Sequence, residues 1–175
     1  SDALKNEEVR TIISVLNAGI GQECDPEKAD YHKVIIATDA DADGSHIRTL
    51  LLGLFFKYMR PLIEAGYLYV VLPPLYKAVK YKNGNIDEIK MYYTEAEIEK
   101  DRPKLTGYEI NRYKGLGEMA LDEAHSALAD EKTRRLVQVT IDDIKSAQKE
   151  LQILLGKQAK LRADWVVEHI DFNEV

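Results

Sequence analysis

Residues 34–48 read Val-Ile-Ile-Ala-Thr-Asp-Ala-Asp-Ala-Asp-Gly-Ser-His-Ile-Arg, a short β-branched run that passes through three alternating carboxylates and a glycine into a helix start. Val34 to Ala37 is apolar at successive positions, so both faces must be buried, as in a covered parallel strand. Beyond Ser45 the pattern turns helical. Asp39, Asp41 and Asp43 therefore stand at the carboxyl end of a strand, where open α/β sheets place their ligands. Acids this close repel one another unless a cation or strong donors compensate. Mg²⁺ takes hard oxygen ligands and keeps waters for substrate phosphates, so metal-assisted phosphoryl transfer is the chemistry the pattern suggests first.

Two plainer readings stand beside it. Asp-x-Asp-x-Asp-Gly also begins an EF-hand loop, but that loop needs a bidentate Glu at its twelfth position. Counted from Asp39 that position is Leu50, and a strand precedes the acids where an EF-hand needs a helix. The EF-hand reading fails. An acidic solvated turn that caps a helix survives on spacing alone.

With 175 residues, 45% hydrophobic and 31% charged, the chain can bury a real core and has the balance of an ordinary globular protein. The longest apolar stretch, residues 50–56, is broken by Lys57 and Arg60 and is too short to span a bilayer; no signal peptide opens the sequence. No membrane role is expected. The single cysteine, Cys24, excludes a disulfide framework and fits a reducing, cytoplasmic setting, with the thiol a small buried group. A net charge of −6 argues against a general nucleic-acid coat but leaves room for a local basic patch.

Along the chain, Asn6 caps a predicted helix with Val9, Ile12, Ile13 and Leu16 on one face and Gly19 at its end. The acidic strand follows a polar loop. A long helix is predicted from Ser45 to about Ala65, stopped by Gly66, with a second strand from Tyr67 to Leu72. Pro73-Pro74 forces an extended exit, and Asn83-Gly84 between residues 75–81 and 86–93 predicts a β-hairpin. Thr94 and Glu97 fit a capping box ahead of a short helix. Residues 108–113 form a weaker strand leading into a Gly-x-Gly turn. A last strand, residues 136–141, precedes helices over 142–155 and about 158–169.

Three segments in this order and spacing carry a resemblance. Thr-Asp-Ala-Asp-Ala-Asp-Gly-Ser-His-Ile-Arg-Thr-Leu-Leu-Leu, then Pro-Pro-Leu-Tyr-Lys, then Arg-Tyr-Lys-Gly-Leu-Gly-Glu-Met resemble the B subunit of bacterial type IIA DNA topoisomerases, gyrase and topoisomerase IV alike. The resemblance covers nearly the whole chain. It implies an α/β fold with a Toprim-type parallel sheet flanked by helices, its first strand missing, and a smaller α+β tail. The expected division is residues 1–81 for the partial Toprim core and 82–175 for the hairpin and tail.

The same resemblance implies Mg²⁺ binding by Asp39 and Asp41, with Asp43 in support; in the full site, two ions are shared with a glutamate of a Glu-Gly-Asp-Ser segment. It also implies a partner A subunit in an A2B2 assembly and double-stranded DNA as substrate. ATP is implied only for the full-length subunit. His46 and Arg48, in the first turn of the long helix, Lys77, Arg112, Lys114 and Arg162 are the candidate DNA contacts. Taken alone, each lysine reads as solvated, His46 as a helix-start residue bonded to a nearby carboxylate, and Arg162 as an exposed helical arginine. Tyr67, Tyr69 and Tyr76 read as packing residues.

Departures from the family pattern matter equally. Neither Glu-Gly-Asp-Ser nor the Gly-Lys-x-Leu-Asn segment that follows it occurs here, so the chain looks like a fragment beginning after both. The tyrosine that attacks DNA belongs to the A subunit, so none of the ten tyrosines here is the expected nucleophile. This chain alone should lack cleavage and religation activity. Past Met119 the family's Gln-Leu-Trp-Glu-Thr-like stretch is replaced by Asp122-Glu123-Ala124-His125-Ser126-Ala127. Other readings are a different Toprim protein, such as a primase or nuclease, and a non-catalytic interaction domain binding a structural cation.

Overall fold

The computed structural model describes residues 2–169. Two compact units emerge from the chain path. One takes residues up to Asp30, Leu52–Gly66 and from Thr140 onward; the other takes Tyr31–Leu51 and Tyr67–Val139.

The first unit is helical. α1 (Glu7–Leu16) starts where the sequence places it, with the Asn6 side chain accepting from Val9 N–H at 2.9 Å and Glu7 and Glu8 in the positive first turn. It ends earlier than predicted, because Asn17 takes the left-handed conformation (φ 53°) and returns its N–H to Ile13. Asparagine tolerates that region, so Gly19 is not needed as the stop.

The predicted long helix is two helices, α2 (Ala42–Tyr58) and α3 (Arg60–Glu64). Pro61 has no N–H to donate back along the helix and crowds the preceding turn, and the break falls at Met59 (φ −136°, ψ 32°). Leu54, Phe55, Met59, Leu62 and Ile63 are buried in this unit with Leu16, Ala18, Cys24 and Ala29. Burial pushes the Cys24 thiol pKa up, the opposite of what a nucleophile needs. Asp143 caps α6 (Ile144–Leu155) by accepting from Ser146 N–H, and α7 (Ala159–His169) follows.

The second unit carries two sheets. β1 (Val34–Ile36) and β2 (Leu68–Val71) pair in parallel, and β6 (Leu136–Gln138) adds antiparallel to the other side of β2. β2 is the middle strand, and Leu68, Val70 and Val71 are buried, as the unbroken apolar run requires.

In the other sheet β3 (Tyr76–Lys82) lies between β4 (Asn85–Tyr92) and β5 (Tyr108–Arg112), all antiparallel. Asn83 (φ 54°) and Gly84 (φ 80°) make the two-residue hairpin turn. α4 (Glu95–Asp101) begins with Thr94 Oγ1 accepting from Glu97 N–H, and the Glu97 carboxylate reaches back to the backbone N–H groups ahead of the helix, accepting from Tyr93 at 2.8 Å. Ile98 and Leu105 pack on Ala78 and Tyr92 to form this sheet's core.

Candidate metal and nucleic-acid site

The chain leaves β1 at Ile36 and turns through Asp39 to Asp43 into α2. Helix formation begins at Ala42, before Ser45, because Asp41 supplies the cap: its Oδ1 accepts from Gly44 N–H at 2.7 Å. Gly44 is required at that position. A Cβ there would lie 2.1 Å from the Asp39 carbonyl oxygen, so the tight exit from the sheet closes only over a residue without a side chain.

Asp39 is held from a segment distant in sequence. Leu116 N–H donates to its Oδ1 at 2.7 Å, and a Cβ on Gly115 would stand 3.3 Å from its carboxylate. The loop that does this is short and self-closed: Lys114 N–H donates to Glu118 Oε2 at 2.9 Å, and residues Leu116–Glu118 form a single 3-10 turn. Asp39, Asp41 and Asp43 are all exposed, and none of the three is in an ion pair among the described residues. An open cleft of about 600 Å³ lies beside them, lined by Ala40, Asp41, Ala42 and Ser45 on one side and Arg112, Tyr113 and Lys114 on the other.

The candidate DNA-contact residues divide. Arg112 and Lys114 share the cleft with Asp41, both exposed. His46 and Arg48 follow in the first turns of α2, where the Arg48 guanidinium donates to Ser45 Oγ at 3.4 Å. Arg112 also lies over the Tyr76 ring at 5.5 Å. Lys77 is differently disposed: its ammonium meets Glu123 Oε1 at 3.0 Å and Oε2 at 3.2 Å, with side-chain exposures of 24% and 4%. Arg162 belongs to the helical unit, where its guanidinium donates to the Gly156 carbonyl and so caps the end of α6.

Glu123 escaped sequence reasoning because it sits in the divergent stretch after Met119. One local signal was present. Glu123 stands three residues after Ala120 and accepts its N–H at 3.1 Å, half of a capping box at the head of α5 (Leu121–Ala124). A carboxylate this buried is strongly destabilising when stripped of its partner, by about 3–5 kcal/mol in comparable pairs.

Tyr113 carried no sequence signal either. Its ring lies under the Lys77 ammonium at 5.2 Å, and its hydroxyl is buried beside the Glu123 carboxylate. Burial, then the nearby Glu123 carboxylate, raises the phenol pKa.

The donor set fits a hard divalent cation only in an open manner. Among the described residues no three His, Cys, Asp or Glu side chains converge as a closed metal cage. Mg²⁺ does not ask for one, since it is commonly bound by one or two carboxylates with waters and substrate phosphates completing its shell.

A parallel strand ending in carboxylates, with a helix capped by the second of them, is the arrangement of a Toprim-type α/β domain, and residues 2–73 match the Toprim domain family. Residues 105–167 match a second family, the carboxyl terminus of the DNA gyrase B subunit. The chain is 44% identical over 174 residues to the B subunit of DNA topoisomerase 4 from Streptococcus pneumoniae, covering 99% of this chain and 27% of that protein. It is 45% identical over 168 residues to the DNA gyrase B subunit of Archaeoglobus fulgidus, covering 95% and 26%. The chain belongs to the B-subunit family of type IIA DNA topoisomerases, and it spans about a quarter of the length of these relatives. No described helix is long and apolar enough to cross a membrane.

Proposed function

We propose that this chain is the Mg²⁺-binding region of a type IIA DNA topoisomerase B subunit, which assists ATP-dependent double-strand breakage and religation by a partner A subunit within an A2B2 assembly. The observation that carries this reading is the pairing of Asp39 and Asp41 at the end of β1, each oriented by one backbone N–H and each exposed. Asp39 and Asp41 would hold the ion, with Asp43 adding negative charge from the first turn of α2. When bound, Mg²⁺ supplies charge stabilisation to the attacking and leaving oxygens of a phosphodiester exchange. The protein's part is to hold the carboxylates at fixed spacing and present cations to the DNA backbone.

Arg112 and Lys114 across the cleft, with His46 and Arg48 on α2, are the proposed phosphate contacts. Such contacts position a duplex without reading its sequence. Lys77 is left out of this set because its ammonium already has two carboxylate acceptors. Arg162 is a proposed contact to DNA or to the partner subunit, on the family resemblance. ATP hydrolysis belongs to a part of the full-length subunit outside this chain, and a second ion requires the glutamate that this sequence lacks.

Asp41→Asn tests the reading, because asparagine keeps the oxygen that caps Gly44 and removes only the charge. In the complete subunit assembled with its A partner, the Mg²⁺ concentration for half-maximal DNA cleavage should rise by about tenfold or more, by analogy with lost groups at other metal sites. A Mg²⁺ curve superimposable on that of the unsubstituted enzyme overturns the assignment.

A further inference from the structure

We infer that Glu123 is a positioning residue for the Asp39 site: through Lys77 it clasps both ends of the 114–122 loop and so keeps the Leu116 amide on the Asp39 carboxylate. The inference rests on the reading of Asp39 given above.

Lys77 lies on β3, the middle strand of its sheet, opposite Met91 on one side and Asn111 on the other, so its backbone is fixed from both directions. Its ammonium touches the residue on each side of the loop. Tyr113, immediately before it, presents its ring to the cation and donates its N–H to the Leu75 carbonyl at 2.9 Å. Glu123, immediately after it, takes the ammonium on both oxygens and the Ala120 N–H on Oε2. The loop between is closed on itself by the Lys114 to Glu118 bond, and its residue Leu116 reaches Asp39.

A buried ion pair is seldom the most stable way to fill a core site, since apolar side chains of similar volume do as well or better. What this pair supplies that an apolar pair cannot is direction. Charge-assisted hydrogen bonds fix the Glu123 end of the loop to the ammonium that the Tyr113 ring faces at its other end, and Gly115 then sits against the Asp39 carboxylate, where a Cβ would approach within 3.3 Å.

The test uses the ¹⁵N-labelled chain and measures the exchange of the Leu116 amide with water by NMR, with Val70 and Val79 amides reporting on the two sheets. E123Q should speed Leu116 exchange by about tenfold or more, equivalent to about 1.4 kcal/mol. The double variant K77M/E123M fills the site with apolar side chains. It should restore Val70 and Val79 to their original protection while Leu116 stays about tenfold faster, and Mg²⁺ titrations of both variants should show weakened binding. Recovery of Leu116 together with the sheet amides in the double variant makes the pair a stability element only and overturns the inference. Unchanged Leu116 exchange in E123Q does the same. Faster Leu116 exchange with Mg²⁺ binding unaltered, in these variants and in D39N alike, upholds the clasp and overturns the reading of Asp39 as a metal ligand.

Discussion

Gly44→Ala is expected to lower the melting temperature of this chain by about 6–12 °C, following an overpacking cost of about 3 kcal/mol and about 2–4 °C per kcal/mol at this chain length. The added Cβ would lie 2.1 Å from the Asp39 carbonyl oxygen, 2.8 Å from its carbon and 2.9 Å from its nitrogen. All three are backbone atoms, so no rotamer change relieves the clash and either the strand exit or the helix start must move. The same movement reaches the chemistry, because the Gly44 N–H is the donor that orients Asp41. In the complete subunit, Mg²⁺-dependent cleavage should be lost along with stability. Gly117→Ala is the matched control: a Cβ at that position would meet nothing within 4 Å, and the effect should stay within about 0.5 kcal/mol. Thermal denaturation of the two variants decides the matter, and equal melting temperatures would show that the turn can absorb a methyl group.

What the sequence disclosed about this fold was local, and what it hid was not. The apolar run into alternating acids, Asn83-Gly84 and Asn6 each specify their structure within a few residues, and strand, hairpin and helix cap appear where those signals stand. The α2–α3 break was also written locally, in Pro61, but the continuous apolar face of residues 50–62 masked it. The site itself depends on contacts of another range. Leu116 and Asp39 are 77 residues apart, and Lys77 and Glu123 are 46 apart. No spacing rule connects them, because a backbone N–H carries no residue-type signal and a glutamate in a polar stretch reads as solvated until its burial is seen. The candidate residues were therefore legible as types, and Asp39, Asp41, Arg112 and Lys114 do gather in one unit around one loop. Their support was invisible, as was the fact that Lys77 faces inward to a carboxylate.

The largest functional effect is expected at Asp39. Asp39→Asn in the complete subunit, assembled with its A partner, should reduce DNA cleavage by about 10³-fold, since losing a metal-directed carboxylate removes several kcal/mol of charge stabilisation and each 1.36 kcal/mol is a factor of about ten. The substitution is close to isosteric, and the asparagine oxygen can still accept from Leu116 N–H, so the loop has no reason to leave. Stability should move the other way. Asp39 stands two residues from Asp41 and four from Asp43 with no ion pair on any of the three among the described residues, so removing one charge relieves repulsion and should leave the melting temperature of the metal-free chain unchanged or slightly raised. That opposition separates the two readings of the acidic turn. A turn that existed only to cap a helix would keep activity in this variant, because the cap is Asp41 and is left untouched, whereas a turn built to gather a cation loses activity while its stability holds or rises. Supercoil relaxation that persists at the unsubstituted rate in low Mg²⁺ would remove Asp39 from the chemistry and leave the strand end as a solvated cap.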